Sequence, residues 1–453
     1  MEPVLFVLGV LLAGAGIGLS IGLHEVGHMV PAKAFGVKVT QYMIGFGPTL
    51  WSKKGAETEY GAKWIPLGGY IRMIGMFPAP KGAPAGTAGR GTTGRFQMLA
   101  EEARAAAWEE VQPGDEDRVF YKLSAPKKVV VMMGGPLMNL VLAALFFTVL
   151  LVGIGIPTTT TTVARVGQCV PSYMASPEAA AAILADPAPL NDDLECTADD
   201  PVAPAVTAGI VAGDRITSIN GQPVQEWTQL TEITRSSPGQ TVVLGLETAT
   251  GQREVEVPMA TAYRPVLEED GTLGEQIVAT GYVGVTPQTQ YVAQPVSAVP
   301  TVMGDVTGRS VQALISLPVR VYELAKDMVA GNDRDPNGPI SVVGVGRISG
   351  EVVAAEEPVK AKLAILVSLI ASLNLFLFLF NLLPVLPLDG GHVVGAVYEG
   401  ARRTVARMRG RSDPGPVDVS RLLPLSYGVG IALVAVASVV IVADLINPVS
   451  LYG

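Results

Sequence analysis

His24-Glu25-Val26-Gly27-His28 closes a run of twenty uncharged residues from Val4 to Leu23. On a helix, residues four apart share a face, so the two imidazoles can reach one metal ion with Glu25 beside them. Three ionisable side chains directly behind such a run have no packing reason to be there, and they point to metal-assisted hydrolysis at membrane depth. The bland alternative is a satisfied histidine pair at a helix end. It is weak here because the chain has only three histidines, and the third, His392, follows Asp389 at the end of another apolar run.

The chain of 453 residues is 49% hydrophobic and 16% charged, too apolar for an ordinary soluble protein. Four uncharged runs are long enough for a hydrocarbon core of ~30 Å: Val4 to Leu23, Val129 to about Ile156, Leu363 to Leu388, and Leu422 to Ala443. No basic residue precedes the first run and no small-residue cleavage site ends it, so it is expected to stay as an anchor. Residues 29 to 128 carry 14 Lys/Arg against 9 Asp/Glu, residues 390 to 421 carry 6 against 3, and residues 157 to 360 carry 11 against 25. The positive-inside rule then puts the first and third loops in the cytoplasm and the middle one outside, with both termini outside. In that topology the first span ends at His24 and His28 and the third at Asp389, all toward the cytoplasmic face, where they can meet. The net charge of -9 comes almost wholly from the outer segment and argues against nucleic-acid binding.

The loops carry further signals. Residues 42 to 77 read as short strands broken by glycine turns, including Pro66-Leu67-Gly68-Gly69, and suggest a small β-meander against the cytoplasmic side of the bundle. Strand edges beside a hydrolytic site are candidates for gripping an extended peptide, which makes Gly68 and Gly69 candidate substrate-binding positions. Residues 78 to 96 look like a linker, and a short helix is expected over 101 to 110. Gly134-Gly135-Pro136-Leu137-Met138-Asn139 interrupts the second span; such a break is tolerated where it faces protein or a cavity, which places it against the active site. In the outer segment, Cys169 and Cys196 form a disulfide if the compartment is oxidising, or stay as two thiols. Between Val296 and Ala330 an apolar stripe suggests one or two amphipathic helices. The third span ends with Asn374, Asn381, Pro384, Pro387 and Asp389; a carboxylate at that depth needs a partner, and a metal is the best one available.

The run Gly209-Ile210-Val211-Ala212-Gly213-Asp214-Arg215-Ile216-Thr217-Ser218-Ile219-Asn220-Gly221 resembles a PDZ domain, although a Gly-Leu-Gly-Phe-type carboxylate loop is not evident. Together with HEVGH, GGPLMN and NLLPVLPLDGGH, it makes the chain resemble the site-2 protease family of intramembrane zinc metalloproteases. The likeness is to the bacterial PDZ-containing branch that cuts anti-sigma factors, of the actinobacterial type. The resemblance implies Zn2+ held by His24, His28 and Asp389, Glu25 as catalytic base, and Asn381 on substrate. It implies single-pass membrane substrates, anti-sigma factor-like or signal-peptide remnants, cut inside the bilayer of a bacterial cytoplasmic (inner) membrane.

The expected fold class is an α-helical polytopic membrane protein with a membrane-associated β-meander and one extracytoplasmic α+β PDZ-like domain. Its parts are a transmembrane helix over 1–35, the meander and linker over 36–127, and a second span over 128–157. The PDZ-like domain with its Cys-containing insert follows over 158–265, then amphipathic helices and a loop over 266–361, a third span over 362–389, a basic loop over 390–421 and a fourth span over 422–447. Two alternatives stay open at this stage: an inactive peptide-binding membrane scaffold, and a small transporter, for which no inverted repeat is visible.

Overall fold

The computed structural model describes residues 2–78, 108–185, 196, 200–267, 273–332, 334–335 and 338–449. Four helices among them are long and apolar enough to cross a membrane: Glu2–Ala34, Ala125–Ile154, Val359–Asn381 and Leu423–Ile446. They fall on the four apolar runs, and the chain is a multi-pass membrane protein. The chain divides into two compact units, Met1–Gly155 with Ala293–Gly453, and Ile156–Val292.

In the first unit, helix α1 (Glu2–Ala34) runs without a proline between Pro3 and Pro31, so nothing interrupts it at the histidines. Gly36, at φ +84°, ends it. Helix α2 (Ala125–Thr148) starts with Pro126 in its first turn, where the missing N–H costs no helical bond. The two helices touch backbone to backbone: a Cβ on Gly27 would run into the Gly134 carbonyl, and one on Gly134 into the Gly27 carbonyl. Without a hydrophobic force between helices in lipid, such small-residue contacts are what lets them approach.

After α1, the expected meander is a hairpin of two long strands, β1 (Val39–Lys54) and β2 (Glu59–Met73). Residues 41 to 44 face 69 to 72, residues 51 to 54 face 59 to 62, and residues 41 to 44 also face 59 to 62. The reason is that Gly45, Gly47 and Gly68, all at positive φ, bend both strands, so two strands supply four neighbouring segments. Phe46, Leu50, Trp51, Trp64 and Ile65 are exposed on this hairpin. All but the first residue of the expected linker over 78–96 and most of the helix over 101–110 lie outside the described residues.

The later part of this unit holds α4 to α8, counting the middle unit's Trp227–Arg235 as α3. They are α4 (Ala298–Ala330), α5 (Val342–Ala354), α6 (Val359–Asn381), α7 (Asp389–Met408) and α8 (Leu423–Ile446). The third span was expected to carry Asp389 at its end. Its helix, α6, stops at Asn381, a turn containing Pro384 and Pro387 breaks it before the aspartate as those prolines suggest, and Asp389 opens α7, which continues to Met408 through the start of the segment expected as a basic loop. Gly390 and Gly391 allow this: a Cβ on the first would strike the carbonyls of Leu382 and Leu383, and on the second the backbone of Leu386. Lys128 of α2 holds α7 through a 2.8 Å ion pair to the buried Glu399.

The middle unit is built on a six-stranded sheet: β3 (Ile156–Val166), β4 (Arg215–Ile219), β5 (Gln222–Pro223), β6 (Thr241–Thr248), β7 (Gly251–Pro258) and β10 (Val285–Val292). Its order is β10-β3-β4-β6-β7, with β5 beside β4. Strands β8 (Ala260–Leu267) and β9 (Leu273–Tyr282) form a separate hairpin. Ile216, Ile219, Leu230, Val242, Leu244, Leu246 and Val257 make the core, with the apolar face of α3 against the sheet. The sequence ended this domain at 265; the strands continue to Val292, because β10 pairs with β3, more than a hundred residues earlier. Cys169 and Cys196 are joined by a disulfide.

Candidate metal centre

The site assembles from both ends of the first unit's sequence. His24 and His28, one turn apart on α1, present Nε2 atoms 3.2 Å from each other. Asp389 Oδ2 lies 3.3 Å from His24 Nε2 and 3.2 Å from His28 Nε2. Bonds of about 2.0–2.1 Å in a tetrahedron place neighbouring ligand atoms about 3.3 Å apart, so this triangle has the size a zinc ion requires. Among the described residues it is the one cluster of three His, Cys, Asp or Glu side chains able to hold a metal. The acidic end of the triangle sits at the N-terminus of α7, which favours a carboxylate there.

Helix α2 prepares the site from behind. Val131, Gly135 and Asn139 lie at four-residue spacing on one face. The Val131 carbonyl is 2.8 Å from His28 Nδ1, and the Asn139 amide is 3.1 Å from His24 Nδ1. Between them, a Cβ on Gly135 would overlap the Nε2 atoms of His28 and His24, so glycine keeps the metal position clear. The GGPLMN segment thus lies against the site, and each of its polar or absent side chains has a separate contact there.

Glu25, on the same helix turn as His24, is buried. It faces the backbone of Ile71 on β2. Strand β2 reaches it because Gly69 has no side chain: a Cβ there would lie 3.0 Å from Glu25 Cγ and 2.9 Å from Ile21 Cγ2. Gly68, at φ +102°, makes the bend that turns the strand toward α1. Asn381 stands at the end of α6, half-buried and eight residues before Asp389. His392 is not in the metal cluster; it lines a small cavity with Tyr121, Lys128 and Glu399, and burial pushes its imidazole down toward the neutral form.

The chain matches the model of peptidase family M50 over residues 12–412. The chain belongs to peptidase family M50. It is a zinc metallopeptidase of that family, and the triangle of His24, His28 and Asp389 fits the family's metal. The chain is 32% identical over 456 residues to the zinc metalloprotease Rip1 of Mycobacterium tuberculosis, covering 99% of this chain and 100% of the relative. It is 31% identical over 462 residues to the zinc metalloprotease Rip1 of Mycolicibacterium smegmatis, again over 99% of this chain and 100% of the relative. The likeness to mycobacterial proteins agrees with the actinobacterial type that the sequence suggested.

Sequence reasoning missed Val131 and the separate roles of Gly135 and Asn139, whose contacts lie more than a hundred residues away. It also found no carboxylate-type loop in the middle unit. There, Tyr282-Val283-Gly284-Val285 leads into β10 and lines a cleft with Trp227, Leu230 and Thr234 of α3. Arg264 borders that cleft, 5.8 Å from the centre of the Tyr282 ring.

Proposed function

We propose that this M50 peptidase is an intramembrane endopeptidase in which His24, His28 and Asp389 hold zinc, Glu25 is the catalytic base, and the substrate is the transmembrane segment of another membrane protein. The observation that carries this reading is the ligand triangle itself, built from the end of one apolar helix and the turn after another.

His24, His28 and Asp389 would hold the zinc, which when bound would supply a water of lowered pKa and polarise the scissile carbonyl. Glu25 takes the proton from the attacking water and passes it to the leaving amine. A peptide bond in a transmembrane helix is shielded by its own hydrogen bonds, so the substrate must unwind locally. The segment 69 to 72 of β2, which passes Glu25, is the edge on which an extended substrate can pair, with Gly68 and Gly69 bringing that edge up to α1 and Asn381 offering an amide. The exposed Phe46, Leu50, Trp51, Trp64 and Ile65 suit a hairpin that meets lipid rather than water.

In this reading the middle unit is the PDZ-like domain, outside the cytoplasmic membrane of a bacterium together with both termini, as the charge asymmetry of the loops supports. The cleft between α3 and the turn at 282–285, with Arg264 beside it, favours capture of an extended peptide over a purely steric filter. The protein acts in regulated proteolysis on an anti-sigma factor-like substrate after a first outer cut, or on a signal-peptide remnant. Membership in a peptidase family, with Glu25 and all three ligands present, favours the enzyme over a scaffold or a transporter.

Mass-spectrometric mapping of the cut made by the full chain in liposomes tests this, using a single-pass substrate with its ectodomain removed. Cleavage inside the apolar segment is expected; cuts confined to the flanking polar segments would contradict the proposal.

A further inference from the structure

The two histidines of the site are oriented by the same helix through different groups. His28 Nδ1 lies 2.8 Å from the Val131 carbonyl oxygen, which can only accept, so this ring carries its proton on Nδ1 and leaves Nε2 free to face the cluster. Among the described residues, His24 has no backbone carbonyl in the corresponding place. Its Nδ1 is 3.1 Å from the Nδ2 of Asn139, a side chain with no exposed surface. The other amide atom of Asn139, Oδ1, is buried and has no hydrogen-bond partner among the described residues.

His24 Nε2 points at His28 Nε2 and Asp389 Oδ2, so a metal at the triangle takes the lone pair of Nε2. A neutral imidazole that gives Nε2 to a metal carries its proton on Nδ1. That proton would face the donor Nδ2. A half-turn of the amide exchanges Nδ2 for Oδ1, and since Oδ1 is bonded to nothing else the half-turn breaks no other protein hydrogen bond. We propose that Asn139 is the positioning residue for His24, accepting its Nδ1–H through the side-chain oxygen and so fixing the tautomer and ring angle that the metal needs. It does for His24 what the Val131 carbonyl does for His28. The inference rests on the zinc reading of the triangle.

Selective 15N labelling of the histidines in the zinc-loaded full chain, purified in detergent, reads the tautomer directly, since there are only three histidines to assign. Protonated Nδ1 and metal-bound Nε2 are expected for His24; metal on Nδ1 would overturn the proposal. Chelator competition gives a second reading. N139A is expected to weaken zinc binding by about 10–100-fold, the usual loss for a group that orients a metal ligand. N139D keeps an acceptor but no donor, so it is expected to bind zinc at least as well as wild type within about threefold. A side chain needed only for packing would not separate the two variants in this way. Wild-type zinc affinity in N139A, or a loss in N139D as large as in N139A, would refute the role. If N139A does not fold, N139D alone decides, because an amide needed as a donor fails in it. H24A should abolish zinc binding; if it does not, the zinc reading itself falls, which is a different failure from a neutral N139A.

Discussion

Gly135 stands so close to His28 that a Cβ at that position would overlap the imidazole Nε2. Substituting Gly135 by Ala is therefore expected to leave the helices in place but displace the ligand atoms, with zinc content falling to a small fraction of one per chain. Its neighbour behaves differently. A Cβ on Gly134 strikes the Gly27 backbone, so G134A is expected to force α1 and α2 apart at a cost of about 1–3 kcal/mol. Metal analysis and thermal unfolding, measured on both variants, separate the two roles; equal zinc content in G135A and wild type would contradict the first.

Asp389 is the one anionic member of the triangle and lies within 3.3 Å of both imidazole Nε2 atoms. D389A is expected to lower zinc affinity by more than the about 10–100-fold typical of an orienting group. H392A is expected to keep zinc, since His392 lies outside the cluster. Chelator competition checks both, and zinc loss in H392A alone would reassign the third ligand.

HEVGH was legible because helical spacing puts both histidines on one face, and Asp389 because an unpaired carboxylate behind an apolar run asks for a partner. The GGPLMN segment was legible only as a break facing the site. Nothing in its local pattern says that residues 131, 135 and 139 each meet a particular histidine, since those contacts span more than a hundred residues. The extent of the middle unit was hidden for the same reason: β10 pairs with β3, not with its neighbours in sequence. The meander was misjudged because bends at Gly45, Gly47 and Gly68 fold two strands into four segments, which resembles a sequence of short strands.

The loop after α4 meets the end of the fourth apolar run, whose last uncharged residue is Ala443. The next residue, Asp444, is buried and lies 2.6 Å from Arg334, itself almost fully buried. The same carboxylate accepts from the backbone N–H groups of Ser341 and Gly344 at 2.7 and 3.1 Å, which caps α5. Removing it leaves a buried guanidinium without its carboxylate and the N–H groups of Ser341 and Gly344 unpaired, with only the Ser341 hydroxyl, which accepts from the Val343 N–H, still capping the helix. D444A is expected to lose about 3–5 kcal/mol of stability, and D444A with R334M to recover part of it. Unfolding in detergent is the measurement; an unchanged midpoint in D444A would contradict this account of the loop.

Cys169 and Cys196 close a loop of 27 residues in sequence separation. In the loop-entropy account such a link is worth about 3 kcal/mol, so C169S is expected to destabilise the middle unit by that order. Alkylation of the intact chain should modify neither sulfur until a reductant is added, and modification without reductant would show that the bond does not form.

The central claim is that Glu25 moves a proton at a zinc site it does not ligate. The most direct measurement pairs zinc content with cleavage of a membrane-embedded substrate for E25Q in liposomes. The account predicts about one zinc per chain, as in wild type, with cleavage reduced at least about 100-fold, the scale of a lost general base. Wild-type cleavage by E25Q, or loss of its zinc, would contradict it.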